Sequence, residues 1–108
     1  MTITMITRHP ASQIWMENKG IKVDRQIPHL FDVSEFGSGD TVIGILPINI
    51  IADLTKRGVN YWHFTTQIPE SLRGKELSYD ELITCKPRII PFVAMEGCVN
   101  TELALSSH

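Results

Sequence analysis

The stretch TVIGILPINIIADLTKRGVNYWHFT, Thr41 to Thr65, decides the fold. Thr41 to Leu46 is an almost unbroken apolar run, as expected of a strand covered on both faces. Pro47 has the fixed backbone angle that suits a helix start, and Ile48, Ile51, Ala52 and Thr55 recur on one helical face. Gly58 offers the left-handed stop, and Val59 to Thr65 reads as the next strand. Strand, short helix, strand predicts parallel pairing through a crossover. The same unit stands nearer the N-terminus: Thr2 to Thr7 reads as a strand, Pro10 opens a helix with Ala11, Ile14, Trp15 and Asn18 at helical spacing, and Gly20 closes it.

Between the two units, Ile21 to Arg25 reads as extended. Ile27 to Phe31 either continues it or forms a short irregular segment broken by Pro28. Ser34 to Asp40, with Gly37 and Gly39, has turn chemistry. Beyond Thr65, Ser78 and Glu81 make a capping box for a helix to about Lys86, and Pro87 stops it. Arg88 to Met95 reads as a last strand whose Pro91 suits an edge. Gly97 to His108 shows no buried pattern and is expected to be a flexible tail. The prediction is an α/β fold: one small Rossmann-like domain over residues 1–96, with a mostly parallel sheet of about five strands flanked by helices.

Composition bounds the function. The chain has 108 residues, 43% apolar and 20% charged, with a formal charge of -2. That balance excludes a generally basic polyanion binder, so any nucleic-acid ligand must be met locally, and DNA is not expected as a partner. The apolar stretch from Val42 to Ala52 is broken by Gly44, Pro47 and Asn49, far short of the roughly 20 residues a bilayer requires. Met1 to Arg8 lacks the pattern of a secretory signal, so a cytoplasmic location without membrane association is expected. Cys85 and Cys98 are the two cysteines, spaced for neither a zinc site nor a disulfide framework. No metal and no cofactor are expected.

Two strand-to-helix turns of the same kind place both helix starts at one edge of a parallel sheet, where open amides and positive helix ends favour anions. Available there are Thr7, Arg8 and His9 after the first strand, Leu46, Pro47 and Asn49 after the third, and Thr65 and Thr66 after the fourth. No Gly-x-Gly-x-x-Gly and no Gly-Lys-Ser/Thr loop occurs, which removes support for dinucleotide cofactors and for triphosphate hydrolysis. Thr7-Arg8-His9-Pro10 is the densest chemical cluster: a hydroxyl, a permanently charged fork of donors and an imidazole that exchanges protons near neutral pH. Those groups suit phosphodiester chemistry. The plainer alternative is that Arg8 pairs with a surface carboxylate and His9 only caps the helix. Asn49 turns to a ligand or to solvent. Arg73, beside Gly74, either closes over a phosphate or faces water. His63, among Tyr61, Trp62 and Phe64, reads as a hydrogen-bonded core histidine before a catalytic one; His29 is similarly open. Trp15 belongs to the core face of its helix, and Arg25 reads as a local ion pair with Asp24.

Across nearly all of residues 3 to 82 the chain resembles a family of small accessory proteins of type III CRISPR systems, member sixteen of the Csx series. The resemblance runs through Thr7-Arg8-His9-Pro10 with Trp15, Gly20 to Asp24 with His29-Leu30, Gly39 to Gly44 with Leu46-Pro47, Arg57-Gly58 with His63, and Arg73 to Ser78. The family more usually has Ser at position 7 and Gly-Ala at positions 11 and 12. The resemblance implies a homodimeric, CARF-like ring nuclease that cleaves cyclic oligoadenylate, chiefly cyclic tetra-adenylate, and so switches off an antiviral signal. It also implies metal-independent chemistry, in which each ribose 2′-hydroxyl attacks the adjacent phosphodiester to leave 2′,3′-cyclic phosphate ends. On that reading Arg8 neutralises charge on the phosphorane, His9 relays a proton, Thr7 completes the catalytic turn, and Asn49 and Arg73, with Pro47, Thr65 and Thr66, hold the ring. A non-catalytic sensor or sponge for the same messenger is the alternative, and a purely structural partner of the effector complex is a third.

Overall fold

The computed structural model describes residues 1–30 and 32–97. Five strands, β1 (Ile3–Ile6), β2 (Arg25–Ile27), β3 (Thr41–Gly44), β4 (Asn60–Thr65) and β5 (Arg88–Phe92), form one sheet in the order β2-β1-β3-β4-β5. β2, β1, β3 and β4 run parallel, and β5 is antiparallel to β4. Helices α1 (Pro10–Asn18) and α3 (Tyr79–Thr84) cover one face, and α2 (Ile48–Lys56) covers the other. The expected Rossmann-like α/β architecture is therefore present.

Each of the two strand-helix units ends by the same device. Gly20 and Gly58 both take φ of +76°. After α1, the Ile21 N–H donates to the Met16 carbonyl and the Gly20 N–H to that of Glu17; after α2, Val59 and Gly58 make the matching bonds to Leu54 and Thr55. A side chain at either glycine would be strained in this left-handed turn.

The sheet separates two apolar layers. Met5, Ile43 and Phe64 meet Ala11, Trp15 and Met16 of α1 and Leu82 of α3. Trp15 is buried, with its ring edge-on to Phe64 at 5.4 Å, as its place on the helix predicts. Ile6, Val42 and Tyr61 meet Phe36, Val59 and, from α2, Ile51 and Leu54. Val42, Ile43 and Gly44 of the central strand are all buried, which accounts for its unbroken apolar run.

Several boundaries differ from the sequence expectation. The strand after α1 is Arg25–Ile27, and the preceding residues cross from the helix to the sheet edge while Ile21 and Val23 pack on the core. Pro47 is the N-cap of α2, with Ile48 its first turn residue. The last strand stops at Phe92 and reverses direction, since it starts with Arg88 opposite Thr65 at the end of β4. A helix of 6 residues rises only about 9 Å, too little to return the chain to the far end of the sheet. Pro91 lies on the edge strand, as expected. The capping box at Ser78 and Glu81 is formed in both directions. Phe31, Cys98 and the rest of the expected tail from 98 to 108 lie outside the described residues.

Candidate functional site at the carboxyl edge of the sheet

In the order β2-β1-β3-β4, the chain leaves β1 and β3 in opposite directions across the sheet, and that divergence opens a crevice beyond their carboxyl ends. A cleft of about 140 Å³ occupies it, on the side covered by α1 and α3. Thr7 and His9 come from the turn after β1, Ala11 and Ser12 from the first turn of α1, Gly44 and Ile45 from the end of β3, and Thr66 and Ile68 from the segment after β4. Lys75 and Leu77 enter from the loop before α3, and Met5, Phe64 and Leu82 supply apolar walls. Gly44 keeps its floor narrow: a Cβ there would stand 3.3 Å from the Ile6 carbonyl oxygen.

The turn that carries the cluster is folded by its own hydroxyl. The His9 N–H donates to Thr7 Oγ1 at 3.1 Å, which holds His9 extended as the N-cap of α1. The His9 side chain makes no capping bond, and Arg8 is exposed without an ion pair among the described residues. The plainer alternative is thus absent for Arg8, which has no carboxylate partner among the described residues, while His9 does stand at the helix start, capping it through its backbone position and not its side chain. Ser12 is buried to 6% exposure, yet its hydroxyl has no hydrogen-bond partner among the described residues.

Of the expected binding residues, Thr66 joins the cleft and the others stand apart. Pro47 and Asn49 are exposed at the start of α2, on the opposite face of the sheet. Thr65 turns its hydroxyl to the Arg88 carbonyl at 3.4 Å, and Arg73 is exposed in its loop. Sequence reasoning missed Lys75, Ser12 and the apolar walls. Lys75 was visible in the quoted Arg73-Gly74-Lys75 stretch, but nothing in the sequence indicates which of the two cations lines the cleft. Arg25 pairs with Glu35, not with Asp24, whose carboxylate accepts the Ile3 N–H at 2.8 Å.

The α2 side of the same edge is closed on itself. Tyr61 Oη accepts the Leu46 N–H at 3.0 Å, lies 2.9 Å from the Gly44 carbonyl and 2.7 Å from His63 Nδ1. All three partners are satisfied when Tyr61 donates to Gly44 and His63 donates its Nδ1 proton to Tyr61. Burial pushes the Tyr61 hydroxyl up to about 12 and lowers His63 from its ordinary 6.5. His63 is thus a hydrogen-bonded strand histidine packed beside Phe92, and it stays neutral at pH 7.

No helix among the described residues is long and apolar enough to cross a membrane, and no cluster of three or more His, Cys, Asp or Glu there is placed to hold a metal ion. No curated protein and no solved structure matches the chain. A family model described as Putative CRISPR-associated protein (Cas_VVA1548) matches residues 4–95, which takes in every strand and helix except the first residue of β1. The chain belongs to that CRISPR-associated family.

Proposed function

We propose that this protein is a ring nuclease that binds cyclic tetra-adenylate at the carboxyl-edge cleft and cuts it without a metal ion, so ending the type III CRISPR signal. The observation that carries the reading is the turn Thr7-Arg8-His9, whose Thr7 and His9 line the cleft and whose Arg8 is exposed between them outside the lining, in a chain of CRISPR-associated descent. The substrate brings its own nucleophile. The 2′-oxygen bonds to phosphorus and gives up its proton, the P–O5′ bond breaks, and the departing 5′-oxygen takes a proton. Arg8 stabilises the charge that builds on the phosphorane, and His9 handles a proton. Thr7 shapes the turn and keeps a hydroxyl proton to donate.

A cyclic tetranucleotide has rotational symmetry and is too broad for one short sheet edge, which favours two copies meeting edge to edge. Ile45, 65% exposed at the cleft, and Ile48, 75% exposed at the start of α2, are apolar surface at this edge suited to such a contact. On this reading Asn49, Pro47 and Arg73 serve the ring from outside the cleft. The test is incubation of the purified protein with cyclic tetra-adenylate in excess EDTA, with products separated by chromatography. Linear fragments ending in 2′,3′-cyclic phosphate are expected. A ring that is bound but intact makes the protein a sensor or sponge, and a ring that is not bound removes the reading.

A further inference from the structure

From the cleft walls we infer that Lys75 and Ser12 are ligand-contacting residues: Lys75 takes a phosphate of the nucleotide, and the Ser12 hydroxyl takes an uncharged polar group deeper in. The inference rests on reading the cleft as a nucleotide site. Among the described residues Lys75 is the one lysine or arginine that lines the cleft, whereas Arg73, two residues earlier, lies outside it. Lys75 is also held in place. Its Nζ lies 2.7 Å from Glu81 Oε2, while Glu81 Oε1 accepts the Ser78 N–H at 3.0 Å in the capping box of α3. One carboxylate therefore fixes both the helix start and the lysine. Lys75 keeps half of its side chain exposed, so donors remain for an anion arriving at the mouth.

Ser12 argues from the opposite condition. The residue is buried to 6%, but its hydroxyl oxygen is not shut off from the cleft and makes no hydrogen bond among the described residues. It is therefore open to a group that enters the cleft. The two residues are thus assigned different kinds of contact, one ionic and one neutral.

Binding of cyclic tetra-adenylate to the full chain, followed by calorimetry across a series of salt concentrations, separates them. Lys75→Met, which keeps the apolar stem, should weaken binding by roughly tenfold or more and flatten the plot of log affinity against log salt by about 0.7. Lys75→Arg should restore the slope. Ser12→Ala should weaken binding by roughly 2- to 10-fold with the slope unchanged. Circular dichroism of each variant reports whether it folds, and alanine suits the first turn of a helix. Unmutated affinity and slope in folded Lys75→Met, or unmutated affinity in Ser12→Ala, overturns the assignment of that residue. If the unmutated chain fails to bind the ring, the nucleotide reading falls and this inference falls with it.

Discussion

The two ends of the sheet are built from similar materials and finished in opposite ways. At the amino end, carboxylates close the chain. Asp40 accepts the Thr2 N–H at 3.1 Å and the Gly37 N–H at 3.0 Å, and Asp24 accepts the Ile3 N–H. At the carboxyl end, on the α1 side, donors are left open: among the described residues Arg8 and His9 make no side-chain hydrogen bond or ion pair, and the Ser12 hydroxyl is unpaired. An end whose donors are answered holds the fold, and an end whose donors are unanswered leaves them free for the ligand proposed above. The difference also divides the carboxyl end itself, since the Tyr61–His63 network on the α2 side is complete.

Breaking the open end should cost activity with little cost in stability. His9→Ala is expected to bind cyclic tetra-adenylate nearly as well as the unmutated chain and to slow single-turnover cleavage by on the order of 10² to 10⁴. Arg8→Ala should lower affinity and cleavage together, because its contact exists in the ground state and strengthens as charge gathers. His63→Ala is the control across the sheet: its cleavage rate should stay within a few-fold of the unmutated value.

Breaking the closed network should do the reverse. Tyr61→Phe removes the acceptor of the Leu46 N–H and the donor to Gly44, and urea unfolding should show a loss of about 1 to 3 kcal/mol. Cleavage by the folded fraction should persist.

At the amino end the expected signature is pH. Backbone donation from Gly37 and then Thr2 holds the Asp40 carboxyl below its ordinary 3.8. The folded state therefore binds this proton more weakly than the unfolded one, so the stabilisation is complete above the ordinary value and is lost as pH falls through the lowered one. Melting temperature measured from pH 7 to pH 2 should fall along an acid limb, and Asp40→Asn should shallow that limb. Asp32, lowered by hydrogen bonds from Ser34, and Glu81, lowered by Lys75 and then by the Ser78 N–H, leave part of it in place.

The smallest effect concerns Thr4, buried to 1% exposure in β1 with its hydroxyl unpartnered. Thr4→Val should be neutral or stabilising by up to about 1 kcal/mol in the same unfolding experiment, since it replaces an unanswered polar group by an isosteric methyl.

These contrasts show how far the sequence could be read. Parallel order, the central strand and both glycine stops follow from local patterns: the apolar run at Val42 to Gly44 and the spacing from proline to glycine are set within a dozen residues. The reversal of β5 was not legible, because it depends on how short α3 is in space, and the Arg88–Met95 pattern reads the same in either direction. In the site, Thr7 and His9 were legible because one tight turn holds them, and Thr66 because it follows a strand. Lys75 and Ser12 were not. Lys75 lines the cleft where its loop runs into α3 and pairs with Glu81, and the cleft walls beside Ser12 come from β3, β4 and α3, distant in sequence. Asn49 and Pro47 share the right edge but face the other layer, a distinction that requires knowing which side of the sheet α2 covers.

In the proposed function the ligand enters on the α1 side of the carboxyl edge. Amide chemical-shift mapping of the labelled protein against cyclic tetra-adenylate tests this directly. The predicted result is that shifts concentrate at Thr7 to Ser12, Gly44, Ile45, Thr66 and Lys75. Shifts confined to His63, Phe92 and the amino-end residues Thr2 and Asp40, or no shifts at saturating ring, would contradict it.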